Sequence, residues 1–212
     1  MRNSDFKVKT PRAEYNVEVY SDFIKKEDVR VQRELFLKMC REGCVNYGKK
    51  FSCPPSSRDF MGVVDKEGIY VVMFLMRLEN IESTEYNKVR IANSIMKSRL
   101  DKLMRVLESR FNTKFLSTGS CRLCRTCQLK LKKLCKHSDK MRYSLESTGV
   151  DCDFLSKSLF NLPLLWFKQG KAPEYTCVIT GLVCDKNETN KITLELENLL
   201  KNISTTCGHY LL

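Results

Sequence analysis

No stretch of this sequence is apolar for long enough to cross a bilayer. The longest run, IYVVMFLM at 69–76, falls far short of the roughly 20 residues that a spanning helix needs. The opening residues, MRNSDFKVKT, mix charges and polar groups without an apolar core, so no secretory signal is expected. Also missing are G-x-S-x-G, the phosphate-binding G-x-x-x-x-G-K-[ST] and G-x-G-x-x-G. Serine hydrolysis, nucleotide hydrolysis and dinucleotide binding therefore lack local support. No internal repeat, low-complexity tract or long linker interrupts the chain, and only two histidines, His137 and His209, are present. These absences lead us to expect one cytoplasmic domain over residues 1–212 with no membrane association.

What is present is ordinary in bulk and unusual in detail. A hydrophobic content of 42% and a charged content of 29% over 212 residues suit a soluble globular fold with one sizeable core. The formal net charge is +12, and the densest basic patch lies at 121–142. There Arg122, Arg125, Lys130, Lys132, Lys133, Lys136, Lys140 and Arg142 face a single acid, Asp139. Such an excess fits a nucleic-acid surface, a solvated face, or cations that offset the negative charge of a metal–thiolate centre.

Eleven cysteines make the third option concrete. In a reducing compartment, clustered thiols point to metal ligation rather than disulfides, and an odd total leaves one unpaired in any all-disulfide scheme. The sequence CRLCRTCQLKLKKLC places Cys121, Cys124, Cys127 and Cys135 at C-x2-C-x2-C-x7-C. Three thiols at successive intervals of three can each bind a different iron of one compact cluster, as in ferredoxin-type runs. Structural zinc more often uses two separated C-x2-C pairs, so zinc is the alternative here.

An earlier loop, CREGCVNYGKKFSCPP, carries Cys40, Cys44 and Cys53 at C-x3-C-x8-C, with Pro54 and Pro55 behind them. Cys40 and Cys44 would share a face if this segment were helical. With no fourth thiol nearby, the loop either borrows a ligand, shares a site with the second loop, or leaves a metal position open for substrate. The C-x3-C-x2-C spacing of radical-SAM enzymes is absent. Cys152, Cys177, Cys184 and Cys207 lack ligand spacing and read as small core residues, Cys152 being the first choice for a missing ligand. His137, two residues past Cys135, reads as a supporting or surface group, and His209 as surface.

Periodicity places these loops between regular elements. Residues 14–20 alternate as a strand, 27–38 suit a short helix, and 69–76 form a buried central strand. Val89, Ala92, Met96, Leu100, Leu103, Leu107 and Phe111 mark a long helix over 83–110, with Met96 and Met104 as core filler. Further strands are expected at 113–119 and 174–184, and helices within 143–151, near 153–160 and over 190–203. The expected class is α/β or α+β: one domain, a mixed sheet flanked by helices, and cysteine-rich loops at about 40–55 and 119–137.

The two loops together resemble an uncharacterised family of small prokaryotic predicted metal-binding proteins. Its pattern runs C-x3-C-x2-Y-G-x4-C-P-P, then G-x-C-x2-C-x2-C with a later cysteine, then R-x-S-[ML]-E-x-x-G-[IV]-D. Cys40, Cys44, Tyr47, Gly48, Cys53, Pro54 and Pro55 match the first part. Gly119, Cys121, Cys124, Cys127 and Cys135 match the second, and Arg142, Ser144, Glu146, Gly149 and Asp151 the third. The likeness extends over roughly residues 38–184 and departs at Lys136-His137-Ser138, where arginine, histidine and proline are expected. It implies metal binding, most naturally iron–sulfur, and no particular reaction.

From these readings Cys40, Cys44, Cys53, Cys121, Cys124, Cys127 and Cys135 are the candidate ligands. Tyr47, Gly48, Arg142 and Glu146 are the candidate cofactor-contacting residues, with Gly48 expected at positive φ. The expected cofactor is one or two iron–sulfur clusters of 4Fe–4S type, with zinc as the alternative. The expected role is electron transfer to a redox protein partner, or redox maturation of it. A metalloenzyme with an open three-cysteine site and a zinc-based nucleic-acid module are the competing readings. Oligomeric state is left open.

Overall fold

In the computed structural model, which describes residues 4–11 and 13–205 with side chains to 202, one sheet organises the chain. Its strands are β1 (Ser4–Lys9), β2 (Glu14–Lys25), β3 (Gly68–Arg77), β4 (Phe115–Leu116) and β5 (Tyr175–Cys184). Their order is β1-β2-β3-β5-β4 and all four ladders are antiparallel. The class is α+β, and the expected mixed sheet is corrected to an antiparallel one. The continuous apolar run of β3 does not come from parallel crossovers; it comes from burial on both faces.

Side chains alternate across a strand, and β3 shows the consequence. Tyr70, Val72, Phe74 and Met76 enter one core, and Ile69, Val71, Met73 and Leu75 enter another. The first face is covered by two helices, α2 (Glu85–Arg110) and α4 (Thr189–Thr205). Ala92, Met96, Leu100, Leu103, Met104 and Leu107 of α2 are buried there, with both methionines inaccessible to solvent. The second face is covered by less regular structure: Phe60, Val64, Leu116, Leu145, Val150 and the helix α3 (Cys152–Phe160). Both cysteine loops belong to this irregular layer.

The remaining helix, α1 (Arg33–Gly43), has no buried residue. It replaces the helix expected at 27–38, of which only the 3-10 turn Lys26–Asp28 and the first half of α1 are helical. Hydrophobic periodicity could not find its bounds, because polar contacts dock it. Gln32 N–H donates to Gly149 O at 2.7 Å, Asp151 N–H donates to Arg30 O at 2.9 Å, and Val31 bridges Val150. Strand β1, with Phe6 and Val8 facing the core, has no counterpart among the sequence expectations. Of the strand expected at 113–119 only Phe115–Leu116 pairs, and the helix expected within 143–151 is the 3-10 turn Glu146–Thr148.

Candidate metal centre

Cys40 lies in the last turn of α1 and Cys44 caps it, its N–H donating to Cys40 O at 3.0 Å. The helix ends at Gly43 and Cys44 is extended, but Cys44 follows Cys40 by about one turn and acts on its thiol. Arg33, at the start of the same helix, donates to the carbonyls of Ser57, Arg58 and Ser147. It thereby fastens α1 to the loop after Cys53 and to the turn at 146–148. Gly149 makes this possible: its φ is +94°, and a Cβ there would lie 2.9 Å from Arg33 Cα.

The chain then turns through Tyr47, whose N–H donates to Cys44 O at 3.1 Å, and Gly48, at φ +66° as expected. Gly48 N–H donates to Pro54 O at 2.8 Å, folding the loop back so that Cys53 returns beneath Cys40 and Cys44. Cys53 is buried, Cys40 half-buried and Cys44 exposed. Burial pushes both Cys40 and Cys53 above the ordinary thiol value, and each also feels Cys44.

β4 delivers the second loop to the same place. Ser117 N–H donates to Tyr143 O at 2.7 Å, and the next residues run into Cys121, Cys124, Cys127 and Cys135, all half-buried. Two residues of the first loop hold it. Cys121 N–H donates to Ser52 Oγ at 2.9 Å, and Lys50 Nζ donates to Cys121 O at 2.7 Å and Ser120 Oγ at 3.2 Å. The Lys50 ammonium lowers the pKa of both Cys53 and Cys121, although burial still holds each thiol above its ordinary value. Cys53 also feels the Cys121 thiol.

Both thiols already meet polar donors. Ser52 Oγ lies 3.8 Å from Cys53 Sγ, and the Leu123 N–H is directed at the Cys121 sulfur. Donors on sulfur favour the thiolate, the form a metal binds, and tune the centre it holds. This donor set of cysteines, with an ammonium between the loops, fits a thiolate-ligated metal group. Among the described residues, no three Cys, His, Asp or Glu side chains converge on a single-ion position. Cys40, Cys44 and Cys53 act on one another, Cys53 feels Cys121, and Cys121 feels Cys124 and Cys135, so these six thiols follow a seam between the two loops.

Other candidates fall to either side. Glu146 has a buried Oε2 with no hydrogen-bond partner, and its charge acts on Cys40, Cys152 and Lys97. Arg142 is engaged elsewhere: Nε donates to Glu108 Oε1 and Nη1 to the carbonyls of Asp139 and Met141. It ties the end of the second loop to α2. Cys152 packs in the core on the second sheet face and feels Glu146, Asp151 and Cys177, while the thiol across from Cys53 is Cys121. Burial pushes Cys177 and Cys184 up to about 12. His137 is half-buried in the turn after Cys135; Cys207 and His209 lie outside the described residues.

Reasoning from sequence missed Arg33, Lys50 and Ser52, which assemble the site. Lys50 and Ser52 sit inside the first cysteine loop, so their closeness to the ligands was the available signal. Arg33 had none.

An antiparallel α+β scaffold that binds two cysteine loops into one thiol-rich seam defines the class: a metal-binding protein. The chain belongs to the family described as Predicted metal-binding protein (DUF2284), whose model matches residues 22–183. Neither the curated proteins nor the solved structures contain a match to it.

Proposed function

We propose that the seam carries iron–sulfur chemistry of the 4Fe–4S type and that the protein exchanges electrons with a partner or supports that partner's redox maturation. One observation carries the reading. Lys50 and Ser52 bring Cys121, the first thiol of the ferredoxin-like spacing, against Cys53, the last thiol of the other loop. Cys121, Cys124, Cys127 and Cys135 are the firmer ligand set, and Cys40, Cys44 and Cys53 the second. A bound cluster would supply one-electron transfer; the chain supplies the thiols, their donors and the compensating ammonium. Arg125, Lys130, Lys132, Lys133 and Lys136 are exposed around the second loop, which suits an acidic protein partner steered by charge. A cytoplasmic location belongs to the same reading.

A second reading rests on Glu146. Its unpartnered buried oxygen beside Cys40 supports a three-cysteine site with a position left for a non-thiol ligand or a substrate, as a metalloenzyme would use.

Iron, zinc and acid-labile sulfide analysis of anaerobically purified protein tests the proposal. The expected result is brown protein with iron and sulfide in equal amounts. Colourless protein with stoichiometric zinc and no sulfide would overturn the iron–sulfur reading. Steeply salt-dependent RNA or DNA binding by that zinc form would move the assignment to a nucleic-acid module.

A further inference from the structure

Beside the second cysteine loop, α2 and residues 117–123 enclose a pocket of about 320 Å³, at the small end of the range for ligand sites. Five cations line it, Lys97, Lys102, Arg105, Arg122 and Arg142, against one acid, Asp101. Two of the five are already neutralised: Arg105 pairs with Asp101 at 3.0 Å, and Arg142 pairs with Glu108. Among the described residues, Lys97, Lys102 and Arg122 have no carboxylate within ion-pair distance. Lys102 and Arg122 stand exposed at the rim and Lys97 is half-buried below them. Thr118, Gly119 and Ser120 line the other side, and their backbone N–H groups donate no hydrogen bond among the described residues.

A half-buried ammonium without a close counter-ion is costly unless something compensates it. Burial pushes Lys97 below the ordinary lysine value, and the Glu146 charge offsets that only in part. Lys97 is not the cation serving the thiols, because the ammonium that acts on Cys121 is Lys50. Free amides, two lysines and an arginine fork around one small cavity are the elements of oxyanion recognition.

We propose that this pocket binds a small dianionic ligand, a phosphate or a dicarboxylate, against the Cys121 end of the metal seam. The ligand would sit with Lys97 beneath it, Arg122 and Lys102 closing the rim, and the Thr118–Ser120 amides along one side. Because Cys121 lines the same pocket, the ligand is held next to the site where the metal is proposed, as a substrate or effector would be. The binding site itself does not depend on which metal the seam holds.

Calorimetric titration of the full-length protein, purified anaerobically, tests this. Inorganic phosphate, pyrophosphate and malonate are the probes, with chloride at matched ionic strength as control, and metal and sulfide are assayed on the same batch. One probe class is expected to saturate at one site per chain. Lys97→Gln should weaken it by about tenfold or more, the scale of one lost charged hydrogen bond. Lys168→Gln, on a distant exposed lysine, should leave it unchanged. Arg122→Gln, at the solvent-exposed rim, gives a second variant should Lys97→Gln fail to fold, and it too should weaken binding. Preference for phosphate or for malonate identifies the ligand group. No saturation by either class, or equal weakening by Lys97→Gln and Lys168→Gln, overturns the proposal. A zinc-loaded, sulfide-free batch that still binds the anion would sink the iron–sulfur reading and leave the pocket standing.

Discussion

Ser52 shows how much one hydroxyl can hold. Its oxygen accepts the Cys121 N–H and lies against the Cys53 sulfur, so it touches both loops at their closest approach. Ser52→Ala leaves a partly buried amide without a partner, at a cost of about 1–3 kcal/mol. The expected outcome is faster metal loss to a chelator, with little change in the melting of the sheet. Lys50→Met removes the ammonium from both thiols and should act in the same direction. Gly149 works through the backbone. Alanine there must adopt φ +94° and push against Arg33, so Gly149→Ala should destabilise the chain by about 1–3 kcal/mol, read as a lowered denaturation midpoint. Arg33→Met should free α1 and lower metal content while the helices on the other face keep their circular dichroism. The motif R-x-S-x-E-x-x-G-x-D is largely scaffold when viewed residue by residue. Ser144 Oγ accepts the Ser147 N–H, Gly149 admits Arg33, and Asp151 caps α3 by accepting the Phe154 N–H at 3.0 Å. Glu146 is the member with no such bond to its buried oxygen.

At the level of elements, cysteines divide by the structure that holds them. Those on α1 and the loops are exposed or half-buried apart from Cys53, whereas Cys152 and Cys184 are buried in helix and strand. In metal-free protein, iodoacetamide is expected to label Cys44 first and Cys152 and Cys184 last, as mass spectrometry of timed samples would show. The raised values of Cys177 and Cys184, caused first by burial, also set a pH dependence. The folded chain keeps protons that the unfolded chain releases above about 8.5. Stability from these thiols is therefore complete below that pH and declines as pH rises toward about 12. Urea midpoints at pH 8 and pH 10 should differ less in Cys177→Ala/Cys184→Ala than in the parent. Legibility followed the source of each element's stability. The helix expected at 83–110 and the strands at 69–76 and 174–184 were plain, because their order comes from apolar burial that periodicity reports. Helix α1 escapes periodicity because backbone bonds of its lead-in, Gln32 with Gly149 and Arg30 with Asp151, dock it. β1 passed unnoticed although Phe6 and Val8 alternate, since two core residues make a weak signal. β4 shrank to two residues because the chain leaves the sheet there to build the second cysteine loop.

Across the whole molecule, the sheet separates two kinds of surface. One face is closed by long helices and the other carries the seam, while the cation-lined pocket lies at the edge between α2 and the second cysteine loop. The ligand types and their grouping into two loops were legible from spacing alone, but their meeting was not, because Lys50 and Ser52 reach across about 70 residues of chain. The order of the strands adds a constraint in time. β4 has β5 as its partner in the sheet, and β5 follows it in the chain by way of the entire second loop. As synthesis proceeds, the thiols of that loop emerge before the strand that anchors their base. Until Tyr175–Cys184 pairs with β3 and β4, the strand that leads into the loop has no partner in the sheet. Under the proposed function, metal uptake at the second loop is expected to be complete only after the C-terminal strand has joined the sheet. A chain halted at Glu174 should hold no metal on Cys121, Cys124, Cys127 and Cys135, which metal analysis of such a fragment would reveal.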